Sequence, residues 1–177
     1  NYRIGQMAAE EMASRLPAGA SVGIIAGSAN QDAHIKRTAG FRDYLRDHTD
    51  LRLAAVAAED TKYRQAARES ADMLKQHPDI RGFFVTSAVM TLGVIDTTEP
   101  DQPRIHIIGV DTQNDALAAL RLGRIDAMIS QDGHESGKMA IELIMRRLRG
   151  ETLDGDYFIS NEVITRDDAD NYRMKED

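Results

Sequence analysis

Short apolar runs alternate with longer amphipathic stretches along most of this chain, and that alternation limits its possible folds more than any other feature. Ser21–Ala26 (SVGIIA) and the segments 51–57, 82–85, 105–110 and 127–129 are apolar, most of them rich in β-branched or aromatic residues. Runs this short suit strands buried on both faces, as in a parallel sheet. Between them lie stretches of helical length and period at 35–46, 62–76, 89–96 and 115–122. In the second of these, Tyr63, Ala66, Ala67, Ser70, Met73 and Leu74 keep to one face at i, i+3, i+4 spacing. Further helical segments at 4–16 and 137–149 open and close the series. Pro17 with Gly19, the turn His77-Pro78-Asp79, the 100–103 segment, Gly123 and Gly150 fall between helices and strands. Asp60 or Thr61 is placed to cap the second of these four helices, and Asn114 or Asp115 the fourth. The order predicts an α/β fold of three layers, αβα, around a central, mainly parallel sheet. The tail departs from the rhythm: a polar loop at 149–156 precedes Tyr157-Phe158-Ile159 and Glu162-Val163-Ile164, two candidate last strands.

Composition narrows the function. At 177 residues the chain is long enough for one domain with a real core, and 42% apolar residues is too many for disorder. No stretch approaches the roughly 20 apolar residues of a membrane-spanning helix, so no membrane insertion is expected. The absence of Cys excludes disulfides, thiolate zinc sites and cysteine nucleophiles, and says nothing of the compartment. A formal net charge of −7 argues against a DNA-binding surface on this segment.

Ligands of open parallel sheets bind beyond the carboxyl ends of the strands. Those ends carry Gly27-Ser28-Ala29-Asn30-Gln31, Glu59-Asp60-Thr61, Thr86-Ser87, Asp111-Thr112-Gln113-Asn114 and Gln131-Asp132. Amides, hydroxyls and carboxylates without Lys or Arg suit a polar, neutral, polyhydroxylated ligand; a phosphate would call for more basic groups. Sharper motifs are missing. There is no GxGxxG, no GxxxxGK[ST] and no GxSxG elbow, so no cofactor and no catalytic residues are expected. Asp32-Ala33-His34 and Asp132-Gly133-His134-Glu135 pair carboxylates with imidazoles but lack metal-ligand spacing, so no metal is expected. His48 and His77 sit near helix C-termini, where positive charge is favourable. His106 interrupts an apolar strand and reads as a satisfied core or edge residue, and the run at 146–149 as a solvated helix end.

Several segments together resemble a known family. Asn1-Tyr2-Arg3-Ile4-Gly5, Arg37-Thr38-Ala39-Gly40-Phe41, LKQHPDIRG at 74–82, Phe84-Val85-Thr86-Ser87, Ile108-Gly109-Val110-Asp111 and LGRIDAMISQ at 122–131 occur in a characteristic order. In that order they are similar to the second half of the type 1 periplasmic-binding-protein fold, shared by sugar-binding proteins of ABC importers and effector domains of LacI/GalR regulators. The resemblance implies two lobes joined by three hinge strands, with the ligand held between them. Residues 1–130 would form the C-terminal ligand-binding lobe, and 131–177 a hinge-crossing segment. Its helix would pack on an N-terminal lobe that precedes this chain, covering Ile141, Leu143, Ile144 and Leu148. Asp111 would accept hydrogen bonds from ligand hydroxyls and Gln131 would touch ligand at the hinge. Ser87 stands where sugar binders usually carry an amide or carboxylate, Ile35 where they carry the cleft arginine, and Thr61 where an aromatic ring stacks; Arg37 would pack the lobe. Asn30, Gln31, His34 and Asp60 would supply the remaining contacts. The segments around HPDIRGFFVTSAVMTLGVI lean toward a LacI-family transcriptional regulator. That reading implies a cytoplasmic homodimer that reaches DNA only through an upstream headpiece, with a sugar-like ligand as effector. The alternative is a periplasmic sugar-binding protein of an ABC transporter, and both are binding proteins rather than enzymes.

Overall fold

The computed structural model describes residues 1–98 and 103–172. Its six-stranded sheet runs in the order β2-β1-β3-β4-β5-β6. The strands are β1 Ser21–Ala26, β2 Arg52–Ala58, β3 Ile80–Val85, β4 His106–Val110, β5 Ala127–Ile129 and β6 Val163–Thr165. The first five are parallel, and β6 runs antiparallel to β5. The helices are α1 Tyr2–Arg15, α2 Asp32–His48, α3 Tyr63–Gln76, α4 Ala88–Ile95, α5 Asn114–Arg121, α6 Gly133–Leu148 and α7 Arg166–Ala169.

The side-chain period of a strand sorts the core into two halves. Val22, Ile24, Ala26, Phe84, Ile108 and Val110 face α1 and α2, where they meet Ile4, Met12, Phe41 and Leu45. Ile25, Phe83, Val85, Ile107 and Met128 face α3, α4 and α5 on the other side. Three layers with a mainly parallel middle sheet are the architecture the alternating pattern predicts. Phe41 of α2 stacks on Phe84 of β3, with ring centroids 4.6 Å apart and planes 8° from parallel, an offset or stacked geometry that adds to area burial. α1 and α2 cross at glycines: a Cβ on Gly5 would strike the Arg37 carbonyl, and one on Gly40 the Tyr2 carbonyl.

Several boundaries differ from the sequence reading. β3 starts at Ile80, whose side chain is fully buried, and α2 starts at Asp32. Residues 157–159 form no strand and lead into β6 as irregular chain, because Phe158 is 83% exposed and has no sheet neighbour to pair with. Neither Asp60 nor Thr61 caps α3, whose cap position is Lys62, with no side-chain cap bond; the Asp60 carboxylate instead meets Lys62 Nζ at 2.6 Å. Asn114 is the first residue of α5, after Gln113 at the cap position with no side-chain bond. The short helix α7 went unseen, although Thr165 and Asp168 form a capping box. Of the 100–103 boundary, residues 100–102 lie outside the described residues. His106 is satisfied as read, with its Nδ1 3.0 Å from Asp126 Oδ1. Asp126 also accepts from the Ile107 amide at 2.9 Å and from Arg104 at 2.7 Å.

α6 stands apart from this core. None of its residues is buried, and Ile141, Ile144 and Leu148 are 63%, 55% and 76% exposed. Among the described residues no helix is long and apolar enough to cross a membrane.

Candidate ligand-binding edge

Parallel strands deliver their carboxyl ends to one edge, so β1, β2, β3, β4 and β5 present their terminal residues together. Asp111 follows β4, and its amide donates to the Ile129 carbonyl of β5 at 3.0 Å. Its φ is 76°, a left-handed conformation that Asp tolerates better than most residues. This turn aims the carboxylate along the edge, where the Gln131 side-chain amide donates to it. Asp111 and Gln131, chosen from separate segments of sequence, are therefore direct partners. A cleft of about 910 Å³ opens beside them and runs on to Asp132, Glu162 and Tyr172. A second, of about 880 Å³, shares Gln131 and Asp132 and is bordered by Lys36, Tyr157 and Phe158.

Ser87 ends the segment after β3 and occupies the cap position of α4. It is 8% exposed, and its hydroxyl has no hydrogen-bond partner among the described residues. A buried polar atom without a partner costs roughly 1–3 kcal/mol, and Ser87 lines neither of the two clefts. Next to it, Thr86 is fully buried and its carbonyl accepts from Arg37 Nη1 at 2.7 Å. Arg37 Nε donates to Asn1 Oδ1 at 3.0 Å, so this buried guanidinium is held by neutral acceptors. Burial pulls its pKa down, and the Asp111 carboxylate opposes that shift.

His34 lies beneath this edge, 6% exposed, with Nδ1 2.8 Å from Thr86 Oγ1 and Nε2 3.2 Å from Thr61 Oγ1. Burial holds the imidazole below its ordinary pKa, Arg37 pushes the same way, and Asp111 pulls back. The remaining candidates sit farther out. Asn30 and Gln31 are exposed on the turn after β1, which their amides close onto Ser28 at 3.3 and 3.0 Å. Asp60 is exposed and engaged with Lys62. Ile35 is exposed at the start of α2, and the Thr61 hydroxyl faces His34.

Sequence reasoning missed Glu162 and Tyr172, which line the larger cleft. The return of β6 beside β5 brings them there; the Tyr172 hydroxyl lies 3.0 Å from Thr112 Oγ1. The one signal was the polar residue before the last apolar run. Among the described residues no group of three or more His, Asp or Glu could hold a metal. Asp132 instead caps α6, accepting from the Glu135 amide at 2.9 Å.

This architecture matches known proteins. The chain is 28% identical over 153 residues to the ribose import binding protein RbsB of Bacillus subtilis (strain 168), which covers 85% of this chain and 49% of that protein. It is 24% identical over 154 residues to a D-ribose/D-allose-binding protein of Pseudomonas aeruginosa, covering 86% of this chain and 48% of that one. This chain thus spans about half the length of these curated relatives. The solved structure of GanP, a glucose-galactose binding protein from Geobacillus stearothermophilus, superposes with a TM-score of 0.85 at 29% identity, covering 94% of this chain and 60% of the other. A periplasmic solute binding protein from Actinobacillus succinogenes with bound D-allose shares the fold, with a TM-score of 0.89 at 20% identity over 97% of this chain and 62% of the other. By name these relatives are binding proteins, for ribose, allose, glucose or galactose. Residues 1–152 match the periplasmic binding protein domain, and the chain belongs to that family.

Proposed function

We propose that this chain forms one lobe of a sugar-capturing protein that serves an import system outside the cytoplasm. The observation that carries the reading is the Asp111–Gln131 pair, which joins the ends of β4 and β5 at the mouth of an open polar cleft. A carboxylate there accepts hydrogen bonds from sugar hydroxyls, and the amide beside it both donates and accepts. Names among the relatives, with ribose import prominent, support a sugar as the ligand class. They also favour import over the regulator reading of the sequence. With that reading go the cytoplasmic location, the homodimer and the upstream DNA-binding headpiece, none of which finds support.

Residues 1–130 act as the ligand-binding lobe and the segment from 131 as the hinge-crossing part. The lack of any buried residue in α6 supports that division. A second lobe closing over the cleft would favour the closed state through its added contacts with the ligand.

A thermal-shift screen of pentoses and hexoses on the intact protein tests this. A binding sugar raises the melting temperature in proportion to ln(1 + [L]/Kd). Asp111→Ala removes charge-assisted hydrogen bonds worth roughly 1.5–3 kcal/mol, a loss of about 10- to 150-fold in affinity. Absence of any shift across the panel would overturn the sugar reading, and an unchanged shift in the variant would take Asp111 out of the site.

A further inference from the structure

The ring of His34 touches two hydroxyls that belong to the ends of different strands. Thr86 follows β3, Thr61 follows β2, and the ring lies against the backbone of Gly27 after β1, where any Cβ would strike both His34 and Thr61. Thr86 decides the ring's chemistry. Its Oγ1 already accepts from the Gly27 amide at 3.1 Å, and Thr86 is fully buried. Among the described residues its hydroxyl proton has one acceptor within reach, the Nδ1 of His34 at 2.8 Å. Thr86 therefore donates, Nδ1 accepts, and the ring carries its proton on Nε2, which donates to Thr61 Oγ1 at 3.2 Å. A second proton on His34 would land on Nδ1. It would face a hydroxyl that then has no acceptor and would set a new cation beside the buried Arg37.

We propose that His34 is a positioning residue, a neutral Nε2–H brace that holds the ends of β1, β2 and β3 in register beneath the ligand, so that acidification releases the brace and weakens sugar binding. The proposal rests on the sugar-binding reading for its ligand but not for its geometry. The charged groups that face the ring are Arg37, from its own helix, and Asp111, from the loop after β4. Asp111 attracts the imidazolium, while burial and Arg37 oppose it more strongly, so the neutral form prevails at neutral pH.

The test has a spectroscopic arm and a binding arm, both on the intact protein. Long-range ¹H–¹⁵N correlation of ¹⁵N-histidine-labelled protein at pH 7.5 is expected to show pyridine-type Nδ1 and pyrrole-type Nε2 for His34. Its midpoint is expected below the ordinary 6.5. The opposite tautomer, or a midpoint at or above that value, overturns the brace. For binding, D-ribose affinity measured calorimetrically from pH 8 to pH 4.5 falls roughly tenfold per pH unit below the His34 midpoint. His34→Gln can accept from Thr86 and donate to Thr61 without titrating. It is expected to bind severalfold more weakly at pH 7.5 and to lose that pH slope, whereas His34→Ala weakens binding more than His34→Gln does. A slope retained in His34→Gln overturns the proposal. A protein that binds no D-ribose at any pH rules out that sugar alone, and the tautomer and midpoint still decide the brace.

Discussion

Asp111 combines an unfavourable backbone conformation with the carboxylate we propose as the ligand's hydrogen-bond acceptor. A non-glycine residue at φ 76° stores strain that the surrounding fold must hold, and such strain gathers at binding sites. Asp111→Gly relieves it while deleting the carboxylate. The variant is expected to unfold at the same or a slightly higher temperature without ligand and to show a much smaller sugar-induced shift, which differential scanning calorimetry with and without sugar would check. Glu69 is the second informative residue. It is half-buried on α3, where the Gln65 amide bridges it, at 3.1 Å, to Glu59 at the end of β2. Burial first, and then the Glu59 charge, raise its pKa from 4.5 to about 7. Between those values the folded chain keeps a proton that the unfolded chain has released, so this group's contribution to stability falls as pH rises through that window. Glu69→Gln removes the dependence. Urea midpoints at pH 5 and pH 8 are expected to differ less in the variant than in the parent, with the variant the more stable at pH 8; an equal difference would show that Glu69 titrates normally. Asp111 was legible from the strand-end rule, whereas the Glu59–Glu69 pair joins a strand end to a helix face and leaves no mark in local pattern.

The crossing of α1 over α2 shows what a helix face requires beyond apolar periodicity. Gly5 and Gly40 let the two backbones approach until each glycine lies against a carbonyl of the other helix. Gly40→Ala gains intrinsic helix propensity of about 1 kcal/mol, but its methyl meets backbone that cannot turn aside. Overpacking typically costs about 1–3 kcal/mol. The clash is expected to win, lowering the denaturant midpoint, and a stabilised variant would refute the close approach. Gly93 of α4 lies in the same way against the Tyr63 carbonyl of α3. Helix existence was plain in the sequence, because apolar spacing at i, i+3 and i+4 is local. Starts were less plain. Asp60 and Thr61 carry the side chains of helix caps, yet Lys62 and His34 take them as partners before α3 begins.

At the scale of the molecule, α6 and the chain that follows it carry several of the most exposed large apolar side chains among the described residues. Ile141, Leu148 and Phe158 are mostly exposed, as expected of a surface awaiting another layer. Ile141→Glu with Leu148→Glu is expected to change the urea stability of this chain by less than about 0.5 kcal/mol, since neither side chain contributes to its core. A loss of several kcal/mol would mean that α6 packs on this lobe. Phe41→Ala provides the contrast. It removes the ring stacked on Phe84 at the centre of one core half and is expected to cost about 3–5 kcal/mol.

The sequence by itself determined the layered α/β architecture, the parallel strands and the edge on which their polar carboxyl ends gather, because burial on both strand faces and helical period are written residue by residue. The resemblance of ordered motifs also pointed to the family that residues 1–152 match. Only the tertiary structure decided which polar residues meet at that edge. Asp111 reaches Gln131 because β4 and β5 are neighbours, and His34 reaches Thr61 and Thr86 because β1 lies between β2 and β3. Strand order is a property of how layers pack, and hydrogen bonds between segments far apart in the chain exist only once that order is set.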